Sequence, residues 1–166
     1  MENFRTFRIL TFLTLLSLLI VCSGSKTFRA LASSPPSNQA SDIPSSDLIQ
    51  PVELAKMLQG NREKPLIIQV GSRVLFEEAH IPGSEYVGPA SSAAGREKLR
   101  QRLQSLARNK TIILYCGCCP WSHCPNIKPA WDVAHSLGLT NLRILYIADN
   151  FGADWVDKGF PTAKGQ

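Results

Sequence analysis

The segment TIILYCGCCPWSHCPN, residues 111–126, decides both the fold and the chemistry of this chain. Its first five residues are apolar or β-branched and predict a buried strand. Four of the five cysteines follow within nine residues: Cys116, Cys118, Cys119 and Cys124. Thiols between a strand end and a helix start ionise readily, because the helix dipole and free backbone N–H groups stabilise the thiolate. The segment therefore predicts a strand–helix unit with reactive thiols at its turn.

The rest of the chain alternates between short apolar runs and helical patterns. Further strands are predicted at residues 66–70, 84–87 and 142–147. Helices are predicted at residues 51–59, 74–79, 96–106 and 126–137, the last capped by Asn126. Such alternation predicts a three-layer α/β domain with a central, mainly parallel sheet flanked by helices. Ligands of these sheets bind at the carboxyl ends of strands, where Cys116 lies.

The first 32 residues have the pattern of a secretory signal. Two arginines precede an apolar run at residues 9–21, and Ala30-Leu-Ala32 has the small residues of a cleavage site. The run is shorter than the roughly 20 residues of a spanning helix, although an uncleaved membrane anchor is the alternative. Cys22 is a candidate for lipid attachment, which the bulk of Val21 disfavours. The sequence predicts export to the periplasm or the extracellular space.

Removal of the signal changes the charge and sets the domain boundaries. Residues 1–32 contain four basic residues and one acidic residue, so the net charge falls from +5 to +2 without them. This small charge gives no reason to expect a nucleic-acid partner, and membrane contact is expected only through the N-terminus. Residues 33–46, rich in Ser and Pro, are predicted to be a flexible linker. Residues 47–166 then form the folded domain, long enough for one modest core.

Cysteine spacing indicates chemistry rather than structural disulfides. Disulfides that stabilise exported proteins usually join distant segments. Four thiols within nine residues would close only very short loops and add little stability. The cluster is therefore expected to react or to bind a ligand.

The order of motifs resembles the rhodanese-like domain family. The family's Asp-Val-Arg strand end corresponds to residues 69–71 (QVG), and its Gly-His-Ile-Pro-Gly-Ala turn to residues 79–84 (AHIPGS). Cys116 occupies the position of the family's catalytic cysteine. The family's C-terminal Trp, Gly and Pro correspond to Trp155, Gly159 and Pro161. The resemblance covers residues 48–162, nearly the whole predicted domain.

This resemblance implies a rhodanese-like fold and sulfurtransferase activity of the thiosulfate type, without a cofactor. Cys116 would be the nucleophile that takes up sulfane sulfur as a persulfide. The substrates would be a small sulfur donor and a thiol or cyanide acceptor, and no particular protein partner is indicated. The substrate-binding loop would comprise Gly117, Trp121, Ser122 and His123.

Two features depart from the family pattern. Gln69 and Gly71 replace the usual Asp and Arg, so the ion pair or hydrogen-bond anchor beneath the site is expected to be absent. The active loop is also about five residues longer than usual in the family. The surroundings of Cys116 must therefore differ from those of an ordinary rhodanese.

The additional thiols extend the predicted chemistry. A thiol close to a Cys116 persulfide can attack it, release hydrosulfide and leave a disulfide. Cys119 and Cys124 are the first candidates for this resolving thiol, and Cys118 is the third. Cys119 stands to Cys116 as in C-x-x-C redox motifs. A disulfide between Cys118 and Cys119 is disfavoured, because adjacent Cα atoms lie about 3.8 Å apart, below the usual range of about 4.4–6.8 Å.

Two other functions stay open at this level. One is an extracytoplasmic thiol–disulfide redox protein built on a rhodanese scaffold. The other is binding of a soft metal ion. Its candidate ligands would be Cys116, Cys118, Cys119, His123 and Cys124. Their close spacing suits thiolate-bound Cu(I) better than a structural zinc site, which usually draws ligand pairs from separate segments.

Overall fold

The computed structural model describes residues 40–61 and 63–165. The predicted signal, Cys22 and the first half of the predicted linker lie outside these residues. Within the described part of the chain, no helix is both long enough and apolar enough to cross a membrane.

The strands form one parallel sheet. They are β1 (Leu48–Ile49), β2 (Leu66–Gln69), β3 (Glu85–Tyr86), β4 (Ile112–Tyr115) and β5 (Leu142–Leu145). Their order in the sheet is β1-β5-β4-β2-β3, and every neighbouring pair is parallel. β4, which leads into the cysteines, is therefore the central strand. Gln69 pairs with Tyr115, so β2 and β4 end side by side.

Helices and turns connect the strands. The α-helices are α1 (Pro51–Gln59), α2 (Arg73–Glu78), α3 (Ala93–Leu103) and α4 (Ile127–Ser136). Short 3-10 turns occur at Ala40–Asp42, Ser45–Asp47 and Trp121–His123, and a π-helical turn at Gly152–Val156. The connections between parallel strands run through helices, as this topology requires.

Both faces of the sheet are covered. Along β4, Ile112 and Leu114 lie in one hydrophobic core. Ile113 and Tyr115 point to the opposite face and lie in the other, because side chains alternate along a strand. Residues of α3 and α4 pack in the first core, and residues of α1 and of the π-helical turn at Gly152–Val156 pack in the second. The predicted three-layer α/β fold with a mainly parallel sheet is confirmed.

One helix begins and ends earlier than the sequence predicts. The pattern predicts a helix at residues 96–106, whereas α3 spans Ala93–Leu103. Ser92 Oγ accepts a hydrogen bond from the Gly95 backbone at 3.0 Å and so caps the helix three residues sooner. Leu106 consequently lies beyond the helix end.

The N-terminal boundary also differs from the expectation. Residues 33–46 are predicted to be a flexible linker, yet residues 40–46 pack on the domain. Ala40 is fully buried and Ile43 is 5% exposed, both in the same core as α3 and α4. An apolar pair within a polar segment provides the anchor, since burial of Ile43 offsets the entropy lost by ordering the chain.

Candidate active site

Cys116 lies directly after the last residue of β4, at the carboxyl end of the central strand. Its side chain is 4% exposed. Gly71, at the end of neighbouring β2, lies so close that a Cβ there would be 2.8 Å from Cys116 Sγ. The glycine that replaces the family's arginine therefore makes room for this sulfur.

Gln69 provides an anchor beneath the site. Its Nε2 donates to the carbonyl oxygens of Ser72 at 3.3 Å and Cys116 at 3.4 Å. Its Oε1 accepts from the backbone N–H of Gly71 at 3.3 Å. The expectation that the hydrogen-bond anchor is absent is wrong, because a neutral amide carries both donor and acceptor and joins the two strand ends without an ion pair.

The loop brings four thiols into one cluster, and all four are free. Cys118 Sγ lies 3.0 Å from Cys116 Sγ and 3.3 Å from Cys119 Sγ. The Sγ atoms of Cys116, Cys119 and Cys124 all lie within 4.8 Å of one another. Cys116 and Cys124 are buried, whereas Cys118 and Cys119 are half-buried. Cys118, the third candidate for the resolving thiol, thus lies within 3.0 Å of Cys116.

Asn126 completes the cluster. Its Nδ2 is 3.4 Å from Cys116 Sγ and 3.6 Å from Cys118 Sγ, and it donates to both. The Ser91 backbone N–H donates to its Oδ1 at 2.9 Å, which fixes the orientation of the amide. Asn126 precedes α4, but its side chain makes no capping bond, so the predicted cap is wrong. The side-chain amide of Asn126 donates to the thiols of Cys116 and Cys118 instead.

Hydrogen bonds within the cluster separate the four pKa values. Bonds from Cys116 and Cys124 hold the pKa of Cys118 well below its ordinary value. The bond to Cys118, the bond to Cys124 and burial all raise the pKa of Cys116. Burial, followed by the bond to Cys118, raises the pKa of Cys119. The pKa of Cys124 is also raised: its bond with Cys116 lowers it, but its bond with Cys118 and burial outweigh that contribution. Among the four thiols, Cys118 is therefore the one whose ionisation these hydrogen bonds favour.

A pocket of about 410 Å³ borders the cluster. It is lined by Leu75, Glu78, Ala79, Gly117, Cys118, Asn150, Phe151, Gly152 and Val156. Gly117 adopts a positive φ of 79°, and its carbonyl accepts from the Phe151 backbone N–H at 3.0 Å. A side chain at Gly117 would also collide with Phe151, since a Cβ would lie 2.7 Å from the Phe151 Cβ. Cys118 is the cysteine that faces this pocket.

The other predicted loop residues lie away from that pocket. The Trp121 ring packs against Tyr146 with 5.0 Å between centroids, and its backbone N–H donates to Ala148 O. Ser122 and His123 are exposed, and Ser122 Oγ lies 2.8 Å from His123 Nδ1. The structure therefore brings the cysteines and Gly117 together, and places Trp121, Ser122 and His123 on the outer part of the loop.

The motif turn at residues 79–84 supports the site from below. His80 Nδ1 donates to Phe76 O at 2.7 Å, and the two rings stack 4.0 Å apart. The Tyr115 hydroxyl accepts from the Ile81 backbone N–H at 3.3 Å and lies 3.1 Å from Ser84 Oγ. Burial raises the pKa of Tyr115 to about 12 despite these bonds. The turn has a structural role and fixes the end of β4.

Comparisons with known proteins agree with this architecture. The sequence profile of the Rhodanese-like domain matches residues 50–146. No curated protein sequence matches the chain significantly. The crystal structure of an Anabaena sp. protein superposes with a TM-score of 0.54 at 21% identity, covering 70% of this chain and 82% of that one.

Two further solved structures give the same picture. The rhodanese-like domain of the Anabaena protein, solved by NMR, has a TM-score of 0.53 at 20% identity and covers 71% of this chain and 79% of its own. A Bacillus halodurans protein has a TM-score of 0.54 at 19% identity, with coverages of 72% and 77%. At these identities the structures establish the fold alone. Since the family profile spans more than half of the sequence, the chain belongs to the rhodanese-like domain family.

Proposed function

We propose that the chain is a sulfurtransferase that carries sulfane sulfur as a persulfide on Cys116. The observation that carries this proposal is the position of Cys116 at the carboxyl end of central strand β4, with a second thiol at 3.0 Å. Ligands of parallel α/β sheets bind at this edge. The membership of the rhodanese-like family supports the same chemistry.

In the uptake of sulfur, Cys116 loses its proton as it attacks and not before, because the cluster raises the pKa of Cys116 and lowers that of Cys118. Cys118 Sγ, at 3.0 Å, accepts that proton. The Cys116 sulfur attacks the outer sulfur of thiosulfate, a new S–S bond forms, and the S–S bond of thiosulfate breaks. Sulfite leaves with the electron pair of the broken bond. The Asn126 amide, 3.4 Å from Cys116 Sγ, stabilises negative charge as it develops there.

The loop offers further donors for the persulfide. Among residues 40–61 and 63–165, no acceptor is paired with the backbone N–H groups of Gly117, Cys118 and Cys119. Amide groups directly after a nucleophile are the usual donors to an anion held at such a turn. Because Cys116 is buried and Cys118 faces the pocket, the donor reaches Cys116 from the pocket, past Cys118.

Two acceptors can discharge the persulfide. Cyanide or an external thiol removes the outer sulfur and returns Cys116 as a thiolate, which recovers its proton from Cys118. Alternatively, Cys118 attacks Cys116 Sγ, its proton leaves with the outer sulfur as hydrosulfide, and a Cys116–Cys118 disulfide remains. In this route two thiols lose two electrons and the sulfane sulfur gains them, so an external dithiol must reduce the disulfide before the next turnover.

Mass spectrometry of the reduced full-length chain tests the proposal. Thiosulfate is expected to add the mass of one sulfur atom to Cys116, and sulfite, which has no sulfane sulfur, is the chemical control. Cys116→Ser should abolish the adduct and the thiocyanate formed with cyanide, while circular dichroism verifies that the variant is folded. Cys118→Ser should still form thiocyanate, more slowly, and should lose hydrosulfide release. An unchanged adduct in Cys116→Ser would refute the assignment.

A further inference from the structure

We propose that Cys116, Cys119 and Cys124 also form a binding site for one soft monovalent cation, Cu(I). Their Sγ atoms lie within 4.8 Å of one another, two of them in the protein interior. Thiolates are the preferred protein ligands of Cu(I). This site goes beyond sulfur transfer, because it requires Cys119 and Cys124, which the persulfide chemistry proposed above does not use.

The spacing of the sulfurs suits three-coordinate binding. With metal–sulfur distances of about 2.3 Å, three ligands in a plane lie about 4.0 Å apart. The thiols therefore need to move inward by less than about 1 Å from their separation of up to 4.8 Å. Each ligating thiol gives its proton to solvent as its bond to the metal forms, and no oxidation state changes.

A tetrahedral zinc site with all four cysteines fits less well. Sulfurs in such a site lie about 3.8 Å apart, given zinc–sulfur distances of about 2.3 Å. Cys118 Sγ would have to move away from Cys116 Sγ, at 3.0 Å, and from Cys119 Sγ, at 3.3 Å, while the other three sulfurs move closer together, so one contraction of the cluster does not bring all four to this spacing. His123 does not belong to the group of ligand atoms that lie within 4.8 Å of one another, so it does not supply the fourth ligand either. Structural zinc sites are almost always four-coordinate, which favours Cu(I) for a three-thiol group.

The surroundings of the cluster support ligating thiolates. Asn126 Nδ2 donates to Cys116 Sγ, and the Ser91 backbone N–H holds the amide in that orientation through Oδ1. Such outer partners orient metal ligands and tune their charge. The backbone amides of Asn126 and Ile127, at the start of α4, also face Cys124. The amide donors and the positive end of the helix dipole partly offset the negative charge of a thiolate site.

Cys116 belongs to both proposed sites, so occupancy by Cu(I) and formation of the persulfide exclude each other. A metal bound to Cys116 Sγ draws electron density from that sulfur and hinders the approach of thiosulfate, so the sulfur no longer acts as an effective nucleophile. Cu(I) loading should therefore protect the chain from thiosulfate, and a preformed persulfide should reduce Cu(I) uptake.

Anaerobic titration of the reduced full-length chain with Cu(I), supplied as its acetonitrile complex, tests the site. Competition with the chelator bicinchoninate should give one Cu(I) per chain, and X-ray absorption should show three sulfur neighbours. Cys119→Ser and Cys124→Ser should each weaken binding at least ~100-fold, since loss of a ligand exceeds the ~10–100-fold cost of losing an outer partner. Circular dichroism of the apo variants verifies their fold.

Two matched variants separate this site from its alternatives. His123→Ala should retain Cu(I) affinity within about threefold, since His123 lies outside the group of three ligand atoms. Cys118→Ser should weaken binding by no more than the ~10–100-fold cost of a lost outer partner, since Cys118 Sγ contacts the Cys116 and Cys119 sulfurs without being a ligand. Three results would each overturn the proposal. The first is a loss of Cu(I) affinity in Cys118→Ser equal to that in Cys119→Ser, and the second is failure of the chain to compete with bicinchoninate for Cu(I). The third is tetrahedral binding of Zn(II) through all four cysteines. If the apo chain forms no persulfide yet binds Cu(I) as expected, the sulfur-transfer proposal fails and the metal site stands.

Discussion

The position of the Cys116 sulfur depends on two residues at the end of β2. Gly71 leaves the space that the sulfur occupies, and Gln69 holds the Cys116 carbonyl by a hydrogen bond. Both differ from the residues usual in the family, and both contact the cysteine. The change from a charged pair to a glycine and an amide therefore fits a cluster in which thiols, rather than an arginine, fill the space above the strand ends.

Gly71→Ala should disturb the site directly. A Cβ at this position would lie 2.8 Å from Cys116 Sγ and 3.3 Å from the Cys116 carbonyl oxygen. We expect the unfolding free energy to fall by about 1–3 kcal/mol, as for other overpacked sites, and thiosulfate-dependent persulfide formation to fall with it. Gly60→Ala is the control, since a Cβ there makes only ordinary contacts of 3.6 Å or more. Equal effects of the two substitutions in urea denaturation and persulfide yield would contradict the argument.

Gln69→Leu tests how much the side-chain amide of Gln69 contributes to the unfolding free energy. Leucine has a similar volume but leaves the Gly71 N–H and the Cys116 carbonyl without their partner. We expect a loss of about 1–3 kcal/mol in unfolding free energy, the cost of unsatisfied buried polar groups. Gln101→Leu, at an exposed glutamine bonded to Glu97, should change stability by less than about 0.5 kcal/mol. Guanidinium denaturation measures both stabilities. A loss of stability in Gln69→Leu no larger than that in Gln101→Leu would contradict the anchoring role of Gln69.

At the scale of the elements, local patterns determined most of the fold. β2, β4, β5 and the helices were predictable because each has an apolar run or stripe within its own sequence. β1 has only Leu48 and Ile49 and pairs with residues 144–145, far along the chain. Asn126 likewise forms hydrogen bonds with the Ser91 backbone and with two thiols, and the sequence around Asn126 does not indicate these partners. Sequence periodicity does not predict such contacts between residues that lie far apart in the chain.

Tyr115 ties β4 to the motif turn at residues 79–84. Its hydroxyl accepts from the backbone N–H of fully buried Ile81, so Tyr115→Phe leaves that donor without a partner. We expect a loss of about 1–2 kcal/mol in unfolding free energy. Tyr146→Phe, which removes the hydroxyl of a half-buried tyrosine, should cost less. Thermal and urea unfolding compare the two, and a larger loss in Tyr146→Phe would argue against a link between strand and turn.

At the scale of the molecule, the N-terminal segment and the cysteine loop are coupled by packing. The turn at Ala40–Asp42 packs against the Trp121–His123 turn of the loop and against α4. The Ser- and Pro-rich composition of residues 33–46 predicts a linker. That prediction rests on the average composition and does not take account of Ala40 and Ile43, the two apolar residues that are buried. The described part of this segment therefore acts as a support for the enlarged loop.

Ile43→Ala tests this support. The side chain is 5% exposed in the core beneath the loop, so truncation should lower the unfolding free energy by about 2–5 kcal/mol, the usual cost of a cavity. Val52→Ala, at a side chain 48% exposed, should cost less than about 1 kcal/mol. Tryptophan fluorescence in urea gives both values for the full-length chain. Because the segment packs on the loop, Ile43→Ala should also speed alkylation of the cysteines below the unfolding transition. If the segment were only a linker, Ile43→Ala would match Val52→Ala in both measurements.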